Sequence, residues 1–158
     1  MTRVGIGYDS HRLEPGRPLI LGGQTVPFEL GLVGHSDGDA VAHALTDALL
    51  GAAALGDIGK HFPDTDPRYK DADSLGLLKQ TVALLRQSGY APLQADITII
   101  AERPKLGPYF AAMAQALSGA TGIPINALGL KAKTNEMMGF IGRGEGIAVI
   151  AVAMIGRA

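Results

Sequence analysis

The stretch Gly34–Ile58, GHSDGDAVAHALTDALLGAAALGDI, restricts this chain more than any other. In 25 residues it carries two of the four histidines and four aspartates, as His35, Asp37, Asp39, His43, Asp47 and Asp57. The remainder is mostly Ala, Leu and Gly. Groups that ionise or ligate metals are set into an apolar helix and its two ends, and burying them demands partners elsewhere. His35-Ser36-Asp37-Gly38-Asp39 is a helix-start signal, with Ser and Asp available as caps. The spacing predicts a helix from about Ala40 to Leu55 with Val41, Leu45, Ala48, Leu49 and Ala52 as its apolar stripe, ended by Gly56.

Composition narrows the partners. A chain of 158 residues, 47% hydrophobic and 18% charged, suits one globular domain over residues 1–158. A net charge of -1 gives no footprint for nucleic acid or an anionic membrane, although local basic clusters can hold a small anion. The lack of cysteine removes disulfides and thiolate metal sites and fits a reducing compartment. MTRVGIGYDS has no signal pattern and no apolar run is long enough to cross a bilayer, so a cytoplasmic location is expected. Glycine occurs 22 times, about twice the usual ~7% share, which favours close backbone packing and tight loops.

Around the helix the chain reads in order. Arg3–Tyr8 is a short strand with Asp9-Ser10-His11 at its end, and residues 19–27 are a hairpin turning at Gly22-Gly23. Residues 57–72, with Pro63 and Pro67, form a surface loop long enough to invite a function. Asp73-Ser74 caps a second helix to about Ser88, with Leu77, Leu78, Val82 and Leu85 inside. A strand at 94–101, a stiff connector at 102–108, a helix at 109–120 and a strand at 127–133 follow. A glycine-rich loop at 134–145 leads to a continuous apolar strand, 146–155, buried on both faces or in a subunit interface. The expectation is α+β, with about three helices on one mixed sheet.

Side chains alternate along an extended segment, so Asp9 and His11 point one way and Ser10 the other. Asp9-x-His11 is half of a metal site or a plain surface turn. His43, four residues from both Asp39 and Asp47, is either a satisfied core histidine or the ligand that completes the set. Two histidines and one carboxylate suit Zn²⁺ with an open position. Asp47 either orients His43 or is a solvated helix residue. His35-Ser36 sits where a helix N-terminus attracts an anion, or serves the cap alone. Asp57, Asp64 and Asp66 bind sugar hydroxyls or solvate a loop, in which Phe62-Pro63 is an odd pair. Lys131-Ala132-Lys133-Thr134-Asn135-Glu136 offers cations, a hydroxyl and a carboxylate suited to a phosphate with a hard cation such as Mg²⁺. The run Gly139–Gly146 lacks the strand-to-helix context of a dinucleotide fingerprint and the Lys-Ser/Thr ending of a P-loop.

Gly7-Tyr8-Asp9-Ser10-His11, His35–Asp39 with His43–Leu49, Gly56–Gly59 with Phe62–Asp66, Lys131–Glu136 and Gly139–Gly146 together resemble the 2-C-methyl-D-erythritol 2,4-cyclodiphosphate synthase family. The likeness covers nearly the whole chain. It implies a homotrimer with active sites between subunits, acting in the non-mevalonate isoprenoid pathway. The implied reaction is attack of the substrate's 2-phosphate on the β-phosphorus of its cytidine diphosphate ester, releasing CMP. The resemblance assigns Zn²⁺ to Asp9, His11 and His43, and Mg²⁺ or Mn²⁺ on the diphosphate to Glu136. It makes His35 and Thr134 catalytic and puts Ser36 at the 2-phosphate. Asp57, Ile58 and Gly59, with Phe62, Pro63, Asp64, Thr65 and Asp66, line the sugar region. Ala101, Glu102, Arg103, Pro104, Lys105, Leu106 and Gly107 of the neighbouring subunit cradle cytosine. Lys133 and Asn135 flank Thr134, and Phe140 and Arg143 stand near a threefold cavity that can hold an isoprenoid diphosphate. Ser10, Lys133, Asn135, Met137-Met138 and Glu102-Arg103 depart from the family's usual residues. The rival readings are a metal-dependent phosphodiesterase, a non-catalytic nucleotide-binding trimer and a structural zinc protein.

Overall fold

The segment RVGIGYDSHRLE forms one uninterrupted strand, β1 (Arg3–Glu14), in a computed structural model that describes residues 1–158. It is longer than the expected Arg3–Tyr8, so Asp9 and His11 lie within a strand and not beyond its end. Its odd positions turn inward: Gly5, Gly7 and Leu13 are buried, while Val4, Ile6 and Tyr8 face out.

The hairpin is β2 (Leu19–Leu21) and β3 (Gln24–Val26), turning at Gly22 and Gly23, both at positive φ. A two-residue strand, β4 (Gly31–Leu32), precedes α1 (Ala40–Ala52). The loop expected at 57–72 contains a short helix, α2 (Ile58–His61), and a 3₁₀ turn at Pro67–Tyr69. Then come α3 (Ser74–Gln87), β5 (Tyr90–Ile100), α4 (Phe110–Thr121) and β6 (Leu128–Lys133). A second short helix, α5 (Gly139–Gly142), interrupts the expected glycine-rich loop before β7 (Gly146–Arg157). The architecture is a single α+β domain with five helices, three of them long, as the sequence predicts.

The main sheet has the order β4-β1-β7-β5-β6 and is mixed. β7 is antiparallel to β1 and β5, and β6 is parallel to β5 through the α4 crossover. The helices α1, α3 and α4 cover one face, where Leu45, Leu49, Leu78, Leu85, Ile97, Ile99 and Leu117 are fully buried. The strand β7 is buried on both faces over Gly146–Val149 and on one face only from Ile150 to Ala153. Ile150 and Val152 of β7 stand opposite Tyr8 and Ile6, and these four apolar side chains form an uncovered patch with Ile6 70% exposed.

Two local corrections matter. α1 stops three residues before the expected Leu55, because Ala54 takes the left-handed position at φ 57°. The Leu55 N–H then reaches the Leu50 carbonyl at 2.9 Å and the Ala54 N–H reaches Gly51 at 3.0 Å, a Schellman closure built on alanine. At the other end the fully buried Asp39 is the cap. Its carboxylate accepts from Ala42 N at 3.0 Å and from the hairpin amides of Gly22 at 2.9 Å and Gly23 at 2.7 Å. Burial pushes the Asp39 carboxyl up, against the pull of those three donors. Asp39 thus fastens the hairpin to the helix and does not share a metal-facing side with His43.

Candidate active site

β1 presents Asp9 and His11 two residues apart on its inner face, and α1 sets His43 opposite them. Asp9 Oδ2 lies 2.7 Å from His11 Nε2 and 3.1 Å from His43 Nδ1, and the two nitrogens are 3.2 Å apart. All three donor atoms fall within 4.8 Å of one another. His11 Nδ1 is 2.7 Å from the Val33 carbonyl, which only accepts, so Nδ1 carries a proton and Nε2 is directed at the cluster. Burial pushes the His11 imidazole down, but the hydrogen bond and charge of Asp9 outweigh it and raise the group above its ordinary value. Burial pushes Asp9 up, and the hydrogen bonds and charges of His11 and His43 more than reverse it. Two imidazole nitrogens converging on a shared carboxylate oxygen, with no thiolate, form a donor set that fits Zn²⁺ and leaves a side open.

The cluster forms one end of a cavity of about 400 Å³, whose walls include His35, Ser36, Ile58, Gly59, Phe62, Pro63 and Asp64. Arg17 steadies this wall by donating to the Gly34 and Ser36 carbonyls at 3.4 and 3.2 Å. His35 Nε2 donates to the Asp66 carbonyl at 3.0 Å and ties the catalytic candidate to the far end of the loop. Asp57 caps α2 by accepting from Lys60 N at 2.9 Å, and Asp66 pairs with Arg68 at 2.7 Å. Thr65 is exposed beside them. Phe62 is buried edge-on against Tyr69, with ring centroids 5.4 Å apart, which accounts for an apolar residue in this loop.

Three features of this region go beyond the sequence. Asp47 does not touch His43; it accepts from Ile58 N at 2.7 Å, and burial raises its carboxyl. The groups on His43 Nε2 are the hydroxyls of Ser36 at 2.9 Å and Ser74 at 2.8 Å. At the N-terminus of α1 the Asp39 carboxylate accepts from the Ala42 amide. Tyr69, Leu77, Ser74 and Arg17 were absent from the sequence-derived set. Ser74 reads there as a helix-start residue and nothing more.

The other expected residues lie elsewhere in the chain. Ala101, Glu102, Pro104, Lys105, Leu106 and Gly107 line a second cavity of about 380 Å³ with Lys133 and Thr134. Arg103 turns from it to pair with Glu29 at 3.0 Å and lie over the Phe28 ring. Glu102 Oε1 accepts from Asn135 N at 2.7 Å and Met137 N at 3.1 Å, which holds Glu136 and Met137 at φ 52° and 62°. Phe140 lines a third cavity of about 250 Å³ with Ser10, His11, Arg12 and Glu145, and Arg143 pairs with Glu145 at 3.0 Å.

An α+β sheet-and-helix domain with this Asp-His-His cluster matches the YgbB family over residues 2–156. The chain belongs to that family. A relative from Symbiobacterium thermophilum, 2-C-methyl-D-erythritol 2,4-cyclodiphosphate synthase, is 57% identical over 152 residues, covering 96% of this chain and 97% of its own. The solved structure of a 2-C-methyl-D-erythritol 2,4-cyclodiphosphate synthase in its CDP-bound form aligns with a TM-score of 0.89 at 44% identity, over 98% of this chain and 100% of that one. The bifunctional IspDF of Campylobacter jejuni aligns with a TM-score of 0.96 at 41% identity, and this chain, matched in full, spans 43% of that protein. Family membership makes the chain an enzyme with a cyclodiphosphate-synthase role in isoprenoid biosynthesis.

Proposed function

We propose that the chain converts 4-diphosphocytidyl-2-C-methyl-D-erythritol 2-phosphate to 2-C-methyl-D-erythritol 2,4-cyclodiphosphate and CMP, as a homotrimer. The observation that carries this reading is the separation of the site residues. Asp9, His11, His35, Ser36 and His43 line one cavity, while Thr134, Lys133 and the Ala101–Gly107 loop line another. Two such half-sites meet when neighbouring copies pack together. The uncovered patch of Ile6, Tyr8, Ile150 and Val152 supplies the packing surface. The CDP-bound relative supports a cytidine diphosphate ligand.

In this reading Asp9, His11 and His43 would hold Zn²⁺, and Glu136 would hold Mg²⁺ or Mn²⁺. Such cations would supply cancellation of charge on the phosphate oxygens. His35 and Ser36 contact the 2-phosphate, which is already ionised and needs no strong base. The wall from Asp57 to Asp66 encloses the sugar, and backbone groups of Ala101–Gly107 take cytosine. An oxygen of the 2-phosphate bonds to the β-phosphorus as the bond from that phosphorus to the bridging oxygen breaks, and CMP leaves with that oxygen. Most of the rate comes from bending a flexible polyanion into the attacking geometry. Phe140 and Arg143 stand at the threefold axis, where an isoprenoid diphosphate would bind.

Phosphorus NMR of the products tests the reaction. A cyclic diphosphate with CMP is expected; an acyclic diphosphate or phosphate would replace the cyclase by a phosphodiesterase. Mixing tests the shared site. His43→Ala and Thr134→Ala proteins, each inactive, should regain roughly a quarter of wild-type activity after random subunit exchange. No recovery would place the whole site in one chain.

A second reading has one observation behind it. Ser36, His43 and Asp9 have the connectivity of a nucleophile triad, at 2.9 and 3.1 Å. Against it, Asp9 is shared with His11 and His43 Nε2 also contacts Ser74. A Ser36→Ala enzyme that still releases CMP removes the triad reading.

A further inference from the structure

We propose that Ser74 and Asp37 are positioning residues that fix the tautomer of His43 and, through it, the direction of the Ser36 hydroxyl proton. The inference rests on reading Asp9, His11 and His43 as a metal site, and it concerns groups to which that reading gives no role.

His43 Nε2 has two hydroxyl neighbours, Ser36 Oγ at 2.9 Å and Ser74 Oγ at 2.8 Å. Ser74 is fully buried, so water does not supply an alternative partner for its hydroxyl. Each hydroxyl has one proton to give. Ser74 gives its proton to Asp37 Oδ1 in a short hydrogen bond. Asp37 is committed as an acceptor throughout: Oδ2 accepts from Ser74 N at 3.0 Å and Oδ1 also accepts from Asp39 N at 3.0 Å. Ser74 Oγ can therefore meet His43 Nε2 only as an acceptor, which requires a proton on Nε2.

Two consequences follow. With Nε2 protonated, the neutral imidazole presents its lone pair at Nδ1, the atom 3.1 Å from Asp9 and 3.2 Å from His11 Nε2. Ser36, facing an N–H, cannot donate to His43, so its proton is released toward Ser74 Oγ, 3.4 Å away, or into the cavity that Ser36 lines. A hydroxyl poised to donate into that cavity is suited to a phosphate oxygen. Without Ser74, the Ser36 hydroxyl would be free to donate to Nε2, and the ring would turn its N–H to Asp9. That is the wrong tautomer for a ligand.

The positions of these groups make the relay an inbuilt part of the fold. Ser74 is the first residue of α3 and Asp37 lies in the turn before α1, so the pair also joins the starts of two helices. Residues outside the cavity thereby decide which nitrogen of a ligand inside it is available.

The test uses nitrogen-15-labelled protein. Long-range proton–nitrogen spectra of the chelator-treated protein report the His43 tautomer directly, and chelator competition gives the zinc affinity separately. Wild type should show the Nε2–H form. Ser74→Ala should shift His43 toward Nδ1–H and weaken zinc binding by about ten- to a hundredfold. Ser74→Thr, which restores a hydroxyl, should recover part of both. If Ser74→Ala does not fold, Asp37→Asn stands in for it and should shift both readouts in the same direction. A folded variant that keeps the Nε2–H form and binds zinc within twofold of wild type overturns the relay. A wild-type protein that binds no zinc overturns the metal reading instead, while the tautomer spectra still decide the relay.

Discussion

Gly7 lies so close to helix α1 that a β-carbon there would overlap the carbonyl oxygen of Ala44. Gly5 stands in the same relation to Ala48 one turn along. The strand that carries Asp9 and His11 and the helix that carries His43 therefore touch backbone to backbone, and ligand spacing is set by that contact. Gly7→Ala should push α1 outward, at a cost of about 1–3 kcal/mol in urea unfolding, as overpacking does. Zinc affinity should fall more steeply than stability. An unchanged zinc affinity would show that the ligands adjust independently of the backbone.

Chelator-treated protein should show a pH window. The His11 pKa is raised in the folded state, so its contribution to stability is complete below the unfolded value of 6.5 and is lost as pH rises through the folded value. The Asp9 pKa is depressed, so its contribution is complete above 3.8 and is lost as pH falls through the folded value. The stability difference between wild type and His11→Asn should be greatest between those limits and shrink toward alkaline pH. A difference that instead grows above neutrality reverses the assigned sign. Zinc-loaded protein should behave oppositely near neutrality, because metal binding requires the proton to leave.

Glu102 holds the strained turn that presents Glu136. Glu102→Ala removes the acceptor for two backbone amides, and each non-glycine residue held at positive φ costs about 1–2 kcal/mol. The expected result is roughly tenfold weaker Mg²⁺ activation, with zinc affinity unaltered because Asp9, His11 and His43 line another cavity. Adding Met137→Gly should recover part of the loss. Equal losses of zinc and Mg²⁺ response would mean a global effect.

Asp39 joins the Gly22-Gly23 turn to the N-terminus of α1. Asp39→Ala leaves three amides without an acceptor, those of Gly22 and Ala42 buried, and should destabilise the fold by about 2–4 kcal/mol. A change under 1 kcal/mol would mean that water or Asp37 takes over, and amide exchange at Gly22 and Gly23 would reveal which.

Ile6 and Val152 face each other on the uncovered side of the sheet. Ile6→Asp should yield a folded, zinc-competent monomer by sedimentation, with CMP release lost. A trimer that persists would place the assembly surface elsewhere.

The helix and hairpin were readable because their signals are local: periodicity, caps and paired glycines. The juxtaposition of Asp9 and His11 was readable because alternation puts them on one face whatever the strand's length. The rest depended on tertiary contacts. Asp39 and Asp47 have similar helical spacing from His43, yet a hairpin amide claims one and the start of α2 claims the other. Ser74 looks like a cap in any sequence, and only packing puts its hydroxyl on His43. The end of α1 escaped prediction because alanine seldom takes a left-handed conformation, whereas Gly56 advertises one.

The register between β1 and β7 pairs Arg3 with Ile155 and Arg12 with Gly146. Residues 15–145 thus separate two strands that are neighbours at the heart of the sheet. On the ribosome, β1 is made well before β7 exists. Apart from the pairing of Leu13 and Glu14 with β4, its backbone hydrogen bonds stay unmatched through that interval. Asp9 and His11 lie on β1, so the strand that carries two of the three candidate metal ligands gains its main sheet partner only late in synthesis.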